Sequence, residues 1–269
     1  MIRVLLAAAG VWLALATAPA EAAGSLAASS SGTSASTTSA ASPFADWAAV
    51  FVAGDFRGHG GGPSEAFDNA RRDLADAFVA AGFRRSNIQQ FSVRPQLYPD
   101  SAPLPSDLSL IRTELTRLAE KAPSGCLVYF TSHGSPDGAL VGRNLMTPPG
   151  AARMLSDACG ERPTVAIVSA CYSGVFVPML AGPNRLVLTA ARPDRNSFGC
   201  GEGDRYPYFD ACVLESIPGA TDFAALGRAA QGCVSRTEKE AKIGPPSEPQ
   251  MAVGGELRPL LPLLSLNQR

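Results

Sequence analysis

Two stretches decide how this chain folds: CLVYFTSHG, residues 126–134, and TVAIVSACYSG, residues 164–174. Each opens on a short apolar, β-branched and aromatic run and closes on small polar residues and glycine. That pattern predicts a strand buried on both faces that ends in a loop. Between them, 135–146 reads as a polar loop or small hairpin, and 147–158 reads as a helix with two prolines at its start, where they are tolerated. A right-handed crossover through one helix returns the second strand parallel to the first, so both strands end on the same edge of a sheet. His133 follows the first strand and Cys171 the second, so neighbouring strands would bring imidazole and thiol together.

The same alternation continues outward. WAAVFVA, 47–53, predicts a buried strand leading into the Gly-rich stretch 58–62. A helix follows from Ser64 to the stop at Gly82, with Phe67, Leu74, Phe78 and Val79 on one face. Residues 88–93 predict a strand, and Ser106 is the expected cap of a helix that runs to Lys121 on a stripe of Leu108, Ile111, Leu115 and Leu118. Further strands are expected at 186–189 and 250–253, and helices at 208–216 and 221–239, after an irregular stretch over 191–205. Strands alternating with helices predict an α/β protein with a mostly parallel sheet covered on both faces.

A cysteine becomes a good nucleophile near neutral pH when its pKa is lowered or a base lies beside it, and a histidine supplies either effect. Gly134 lets a substrate carbonyl approach the main chain, and the N–H groups of Gly134 and Cys171 are candidates for stabilising an oxyanion. On spacing alone a plainer alternative stays open, with His133 a turn residue and Cys171 a small buried hydrophobe.

TSHG and SACYSG, each after an apolar strand, resemble the legumain-type cysteine peptidases (peptidase C13) and, more distantly, the caspase-like clan. FVAG at 51–54, AFDNARRDLADAF in the first helix, VLTAARPDRNSFGC after the nucleophile and SEPQMAVG at 247–254 extend the resemblance over most of 47–254. The resemblance implies a caspase-like three-layer α/β/α sandwich and acyl transfer with Cys171 as nucleophile, His133 as proton carrier and Gly134 at the oxyanion, and with no cofactor or metal. It implies hydrolysis of a protein or peptide substrate. Transamidation through the same acyl-enzyme and an inactive peptide-binding protein are the alternatives. Legumains place an acid two positions before the nucleophile, where this chain has Ser169, and the basic residue expected after the first strand is not obvious in GDFRGHGGGPSE. Asp210, in YPYFDAC, matches an acidic pocket position. With Ser169 it is the expected substrate-binding pair, and an unpaired carboxylate there would favour Arg, Lys or Asn before the scissile bond. Asp55 and Arg57, after the first strand, are candidates to flank the dyad or the pocket.

The chain has 269 residues, 17% of them charged, a formal net charge of −1 and 46% hydrophobic residues, enough for a real core and contrary to a polyelectrolyte or nucleic-acid binder. Residues 1–22 read as a secretory signal peptide and 23–43 as a flexible Ser/Ala/Thr-rich linker, leaving 44–269 as the folded domain. A periplasmic or secreted protein with no membrane span after signal cleavage is therefore expected, and its oligomeric state is left open. There are only two histidines. His59 opens an HGGG string like the oxyanion loop of lipases, but the G-x-S-x-G elbow that would complete it is missing, so His59 reads as a loop residue. Apart from Cys171, five cysteines remain, an odd number. No spacing among them suggests a zinc or redox site. A Cys200–Cys212 disulfide stiffening the irregular loop is the first expectation, with Cys126–Cys159 and pairs with Cys233 left open.

Overall fold

The computed structural model describes residues 42–267. The expected signal peptide, and all of the expected linker before residue 42, lie outside the described residues. Seven strands form the main sheet in the order β10-β9-β8-β4-β1-β2-β3. They are β1 (Trp47–Ala53), β2 (Ile88–Ser92), β3 (Leu104–Pro105), β4 (Gly125–Thr131), β8 (Thr164–Ser169), β9 (Arg185–Thr189) and β10 (Gln250–Val253). All pair in parallel except β10, which runs antiparallel to β9. The stretch after His133 is a small antiparallel meander, β5 (Gly134–Ser135), β6 (Gly138–Val141) and β7 (Asn144–Met146), which settles the choice left open between loop and hairpin.

Helices α1 (Ala66–Ala80), α5 (Tyr208–Ser216) and α6 (Phe223–Glu240) cover one face. Helices α2 (Leu108–Lys121), α3 (Pro148–Cys159) and the short α4 (Val177–Leu180) cover the other. The division follows from the two-residue period of the strands. In β4, Leu127 and Tyr129 enter the α1/α5/α6 core, whereas Cys126, Val128 and Phe130 enter the α2/α3 core. Both faces being apolar, the central strands show no alternation in sequence. A ring cluster closes the lower end of the first core: Phe44 stacks on Phe83 at 4.7 Å, and Trp47 lies parallel to Phe223 at 6.3 Å.

The start of α2 differs from expectation by one residue. Asp107 caps the helix by accepting from Leu110 N at 2.9 Å. Ser106, expected in that role, donates its hydroxyl instead to the carbonyl of Ala53 at 2.6 Å and so ties the end of β1 to the start of α2. Thr147 caps α3 and Asp222 caps α6.

The disulfides also depart from the first expectation. Cys126 pairs with Cys159, joining β4 to the end of α3, and Cys212 pairs with Cys233, joining α5 to α6, while Cys171 and Cys200 are free. Cys212 is on the inner, buried side of α5 beside α6, whereas Cys200 lies in the loop over the sheet edge, so a Cys200–Cys212 bond is not formed. Closing loops of 33 and 21 residues stabilises the fold by about 3–4 kcal/mol each in the chain-entropy description. Alkylation of the unfolded, unreduced protein is expected to modify two thiols, on the peptides containing Cys171 and Cys200, and to modify six after reduction. Peptide mapping by mass spectrometry reads the result, and a modified Cys212 before reduction would contradict the pairing.

Candidate active site

The strands that carry the two motifs are direct neighbours, with Thr131 opposite Ser169. The ladder continues one step past the strands: Gly54 N donates to Thr131 O at 2.9 Å, Ser132 N to Ser169 O at 3.0 Å and Ala190 N to Val168 O at 3.0 Å. Beyond that step the chains part. One enters the β5–β7 meander and the other turns sharply at Tyr172, which adopts φ +56°. His133 and Cys171 therefore leave the same edge of the sheet from adjacent strands, and both line one cavity of about 520 Å³.

The imidazole is held on two sides. Its Nε2 is 2.9 Å from the carbonyl oxygen of Arg57, and the ring of Phe67 meets it edge-to-face at 5.1 Å. A carbonyl only accepts, so Nε2 carries the proton and the neutral ring keeps its lone pair on Nδ1. The Arg57 carbonyl is presented by a turn in which Asp55, itself buried, accepts from Phe56 N at 2.7 Å and from the Arg57 side chain at 3.2 Å. Arg57 thus meets the histidine through its main chain, a contact that side-chain chemistry in the sequence does not signal.

The thiol of Cys171 rests on Ser197. It donates to Ser197 O at 3.4 Å, and Ser197 N donates back to the sulfur at 3.3 Å. Gly134 packs against Cys171 so closely that a Cβ there would run into the Cys171 carbonyl oxygen. Leu140 N donates to His133 O, which makes Gly134 and Ala139 the pair whose N–H and C=O groups point away from each other. The Gly134 N–H is therefore turned away from the meander.

His59 and Cys200 also line the cavity. The Gly-rich loop docks on the segment after Cys200: His59 N donates to Cys200 O at 3.0 Å and Gly62 N to Glu202 Oε1 at 3.0 Å. Burial, assisted by the neighbouring Cys171, pushes the Cys200 thiol up to about 11, so it stays protonated and a poor nucleophile. Asp204, missed in the sequence, lies in the cavity wall beside Phe198 and Tyr208, with one carboxylate oxygen accepting from Gly201 N at 2.7 Å. Its place in an irregular loop gave no period or motif to find it by. A larger cavity of about 650 Å³ opens between α1, β2 and 97–102, but no cysteine or histidine lines it.

Asp210 and Ser169, the expected pocket pair, lie beneath the cavity and not in its wall. Asp210 is 0% exposed, and its carboxylate is not unpaired: it accepts from Tyr129 Oη at 2.5 Å and Thr131 Oγ1 at 2.6 Å, with Ser169 as a further hydroxyl partner. The physical reason is the face of α5 on which residue 210 falls, which looks into the sheet. Burial pushes its carboxyl up to about 7, and the hydrogen bonds from Thr131, Tyr129 and Ser169 offset part of that rise. Among the described residues no cluster of His, Cys, Asp and Glu could hold a metal ion, and no helix is long and apolar enough to cross a membrane.

Residues 110–217, from α2 through α5, match the Peptidase C13 family. The crystal structure of caspase-1 from Spodoptera frugiperda is similar in fold, with a TM-score of 0.56 and 14% identity over 78% of this chain and 87% of that one. No curated protein matches the chain. The C13 match is to a peptidase family over less than half of the chain, and the likeness to caspase-1 is one of fold.

Two outcomes check the geometry. In a peptide-cleavage assay Gly134→Ala is expected to lower turnover by about a hundredfold or more, because the displaced backbone carries the N–H beside Cys171. An active Gly134→Ala enzyme would contradict the close approach. The Asp210 carboxyl takes up its proton near pH 7 when folded, against an ordinary carboxylate value of about 3.9 when unfolded. Between these values the folded state holds more protons, so this group makes stability fall as pH rises from 4 to 7 and contributes no slope above. Urea unfolding at pH 4.5, 6 and 7.5 is expected to show Asp210→Asn losing that slope relative to wild type.

Proposed function

We propose that this chain, which fits a legumain-like family of the caspase clan, is an endopeptidase that cleaves peptide bonds through a Cys171–His133 dyad and a thioester intermediate. The observation that carries the reading is the meeting of both residues in one cavity, with the imidazole already fixed by Arg57 O in the tautomer that leaves Nδ1 free to accept. Cys171 Sγ swings from Ser197 onto the scissile carbonyl carbon and its proton passes to His133 Nδ1. As the carbonyl oxygen gains charge, the N–H groups of Gly134 and Cys171 stabilise it, worth about 3–4 kcal/mol for a well-placed donor. The C–N bond then breaks and His133 delivers its proton to the departing amine; water next attacks the thioester with His133 as base, the C–S bond breaks to release the acid, and the proton returns from His133 to Cys171 Sγ.

Asp204 supports a preference for a cationic or amide side chain before the scissile bond, because its carboxylate lies in the wall of the cavity that holds the dyad. Tyr208 and Phe198 supply an apolar wall for the stem of such a side chain. The two disulfides fit an oxidising compartment, in line with export to the periplasm or outside the cell.

Cys171→Ala and His133→Ala are expected to lose at least about a thousandfold in kcat/KM with unchanged circular dichroism. A Cys171→Ala protein with full turnover would overturn the dyad. In a peptide library, Asp204→Asn is expected to weaken cleavage after Lys and Arg by about tenfold relative to cleavage after neutral residues. An unchanged profile would remove Asp204 from the pocket.

A further inference from the structure

We propose that Asp210 is a positioning residue for the dyad: its carboxylate, supplied by α5, ties together the two strand ends that carry His133 and Cys171. The inference rests on the acyl-transfer reading of the same site. Thr131 and Ser169 are opposite each other on β4 and β8, and each stands two residues before its catalytic partner. Side chains at register partners of parallel strands share a face, here the face covered by α5. The carboxylate accepts from Thr131 Oγ1 at 2.6 Å and from Tyr129 Oη at 2.5 Å, both on β4, and Ser169 on β8, the register partner of Thr131, is its further hydroxyl partner on the same face. It therefore bridges the strands at the last register pair before the chains diverge. Past that pair, among the described residues, only the Ser132 N to Ser169 O backbone bond joins them.

Packing alone does not account for a carboxylate there. A fully buried carboxyl loses its hydration, and an apolar residue would seat α5 on the sheet at lower cost. What the carboxylate adds is a fixed anchor for the end of β4, whose Tyr129 and Thr131 hydroxyls lie 2.5–2.6 Å from its two oxygens, on the face where the register partner Ser169 of β8 is its further hydroxyl partner. A direct substrate contact does not fit. Asp210 is 0% exposed, and a substrate side chain would have to displace these hydroxyls to reach it.

The test uses the full chain and three variants, Asp210→Asn, Thr131→Val and Thr131→Ser, each checked for folding by circular dichroism. Two readouts are taken: kcat, KM and residue preference on peptides, and the pH-dependent rate of iodoacetamide alkylation at Cys171, followed by peptide mass spectrometry. Asp210→Asn and Thr131→Val are expected to lower kcat about tenfold and to alter the alkylation profile, with KM changed by no more than about twofold. Thr131→Ser keeps the hydroxyl and is expected to stay close to wild type. If Asp210→Asn does not fold, the two Thr131 variants decide. Folded Asp210→Asn and Thr131→Val proteins with wild-type kcat overturn the proposal, as does a changed residue preference at unchanged kcat, which would return Asp210 to substrate recognition. Wild-type Cys171 that alkylates no faster than Cys200 would instead sink the acyl-transfer reading.

Discussion

The parallel pairing of β4 with β8, ending at Thr131 opposite Ser169, is the constraint on which the site depends. Neither His133 nor Cys171 lies in regular structure, and neither is held to the other directly: the imidazole bonds to Arg57 and the thiol to Ser197. Their proximity comes from the backbone. Two strands joined by a crossover helix must finish on one edge, and the interstrand bonds just beyond them carry that register to within a residue or two of the chemistry. A slip of one position along β8 would turn Ile167 and Val165 out of their core and move Cys171 away from the cavity. Apolar burial on both sheet faces, at roughly 1.5–3 kcal/mol per large side chain, keeps the register in place.

Around this register the protein spends polar groups where apolar packing alone would be more stable. Asp68 and Arg71 form an ion pair at 3.1 Å with both side chains fully buried, and Arg71 also bonds Gln90 and Ser101. Burial pushes the Asp68 carboxyl up, against the pull of Arg71. The pair sits in the first turns of α1, which also present Phe67 to His133. Arg94, after β2, holds Ser64 O and Glu65 at the start of the same helix. These contacts orient the helix that supplies one wall of the imidazole's setting, as the Asp210 carboxylate ties α5 to the end of β4. Buried polar networks of this kind are costly in free energy and narrow in geometry, which suits the floor of a site.

Much of this was legible in the sequence because it rests on local signals. β1 follows from WAAVFVA, β4 and β8 from their apolar runs, and the start of α3 from Thr147 followed by two prolines. Topology then brought His133 and Cys171 to one edge with no long-range information. What escaped depends on direction in space. Ser106 and Asp107 are both competent caps, and only the nearness of Ala53 O draws Ser106 away. Asp210 and Asp204 flank the start of one helix, yet one faces into the sheet and the other into the cavity, a difference set by the path of an irregular loop. Cysteine pairing was hidden likewise, since the separation of Cys212 and Cys233 in space follows from how α5 packs on α6. The carbonyl of Arg57 and the N–H of Ser197 are main-chain groups, which every residue has, so their identity carries no trace of the role.

The most direct test of the central claim is capture of the covalent intermediate. A peptide ester with Lys or Asn at the cleaved position, mixed with the protein and quenched in acid, should leave the acyl group on the tryptic peptide that contains Cys171. That adduct should be released by hydroxylamine, as a thioester is, and should be absent from His133→Ala. Turnover of the ester with no acyl group on Cys171, in a protein whose Cys171→Ala variant remains equally active, would contradict it.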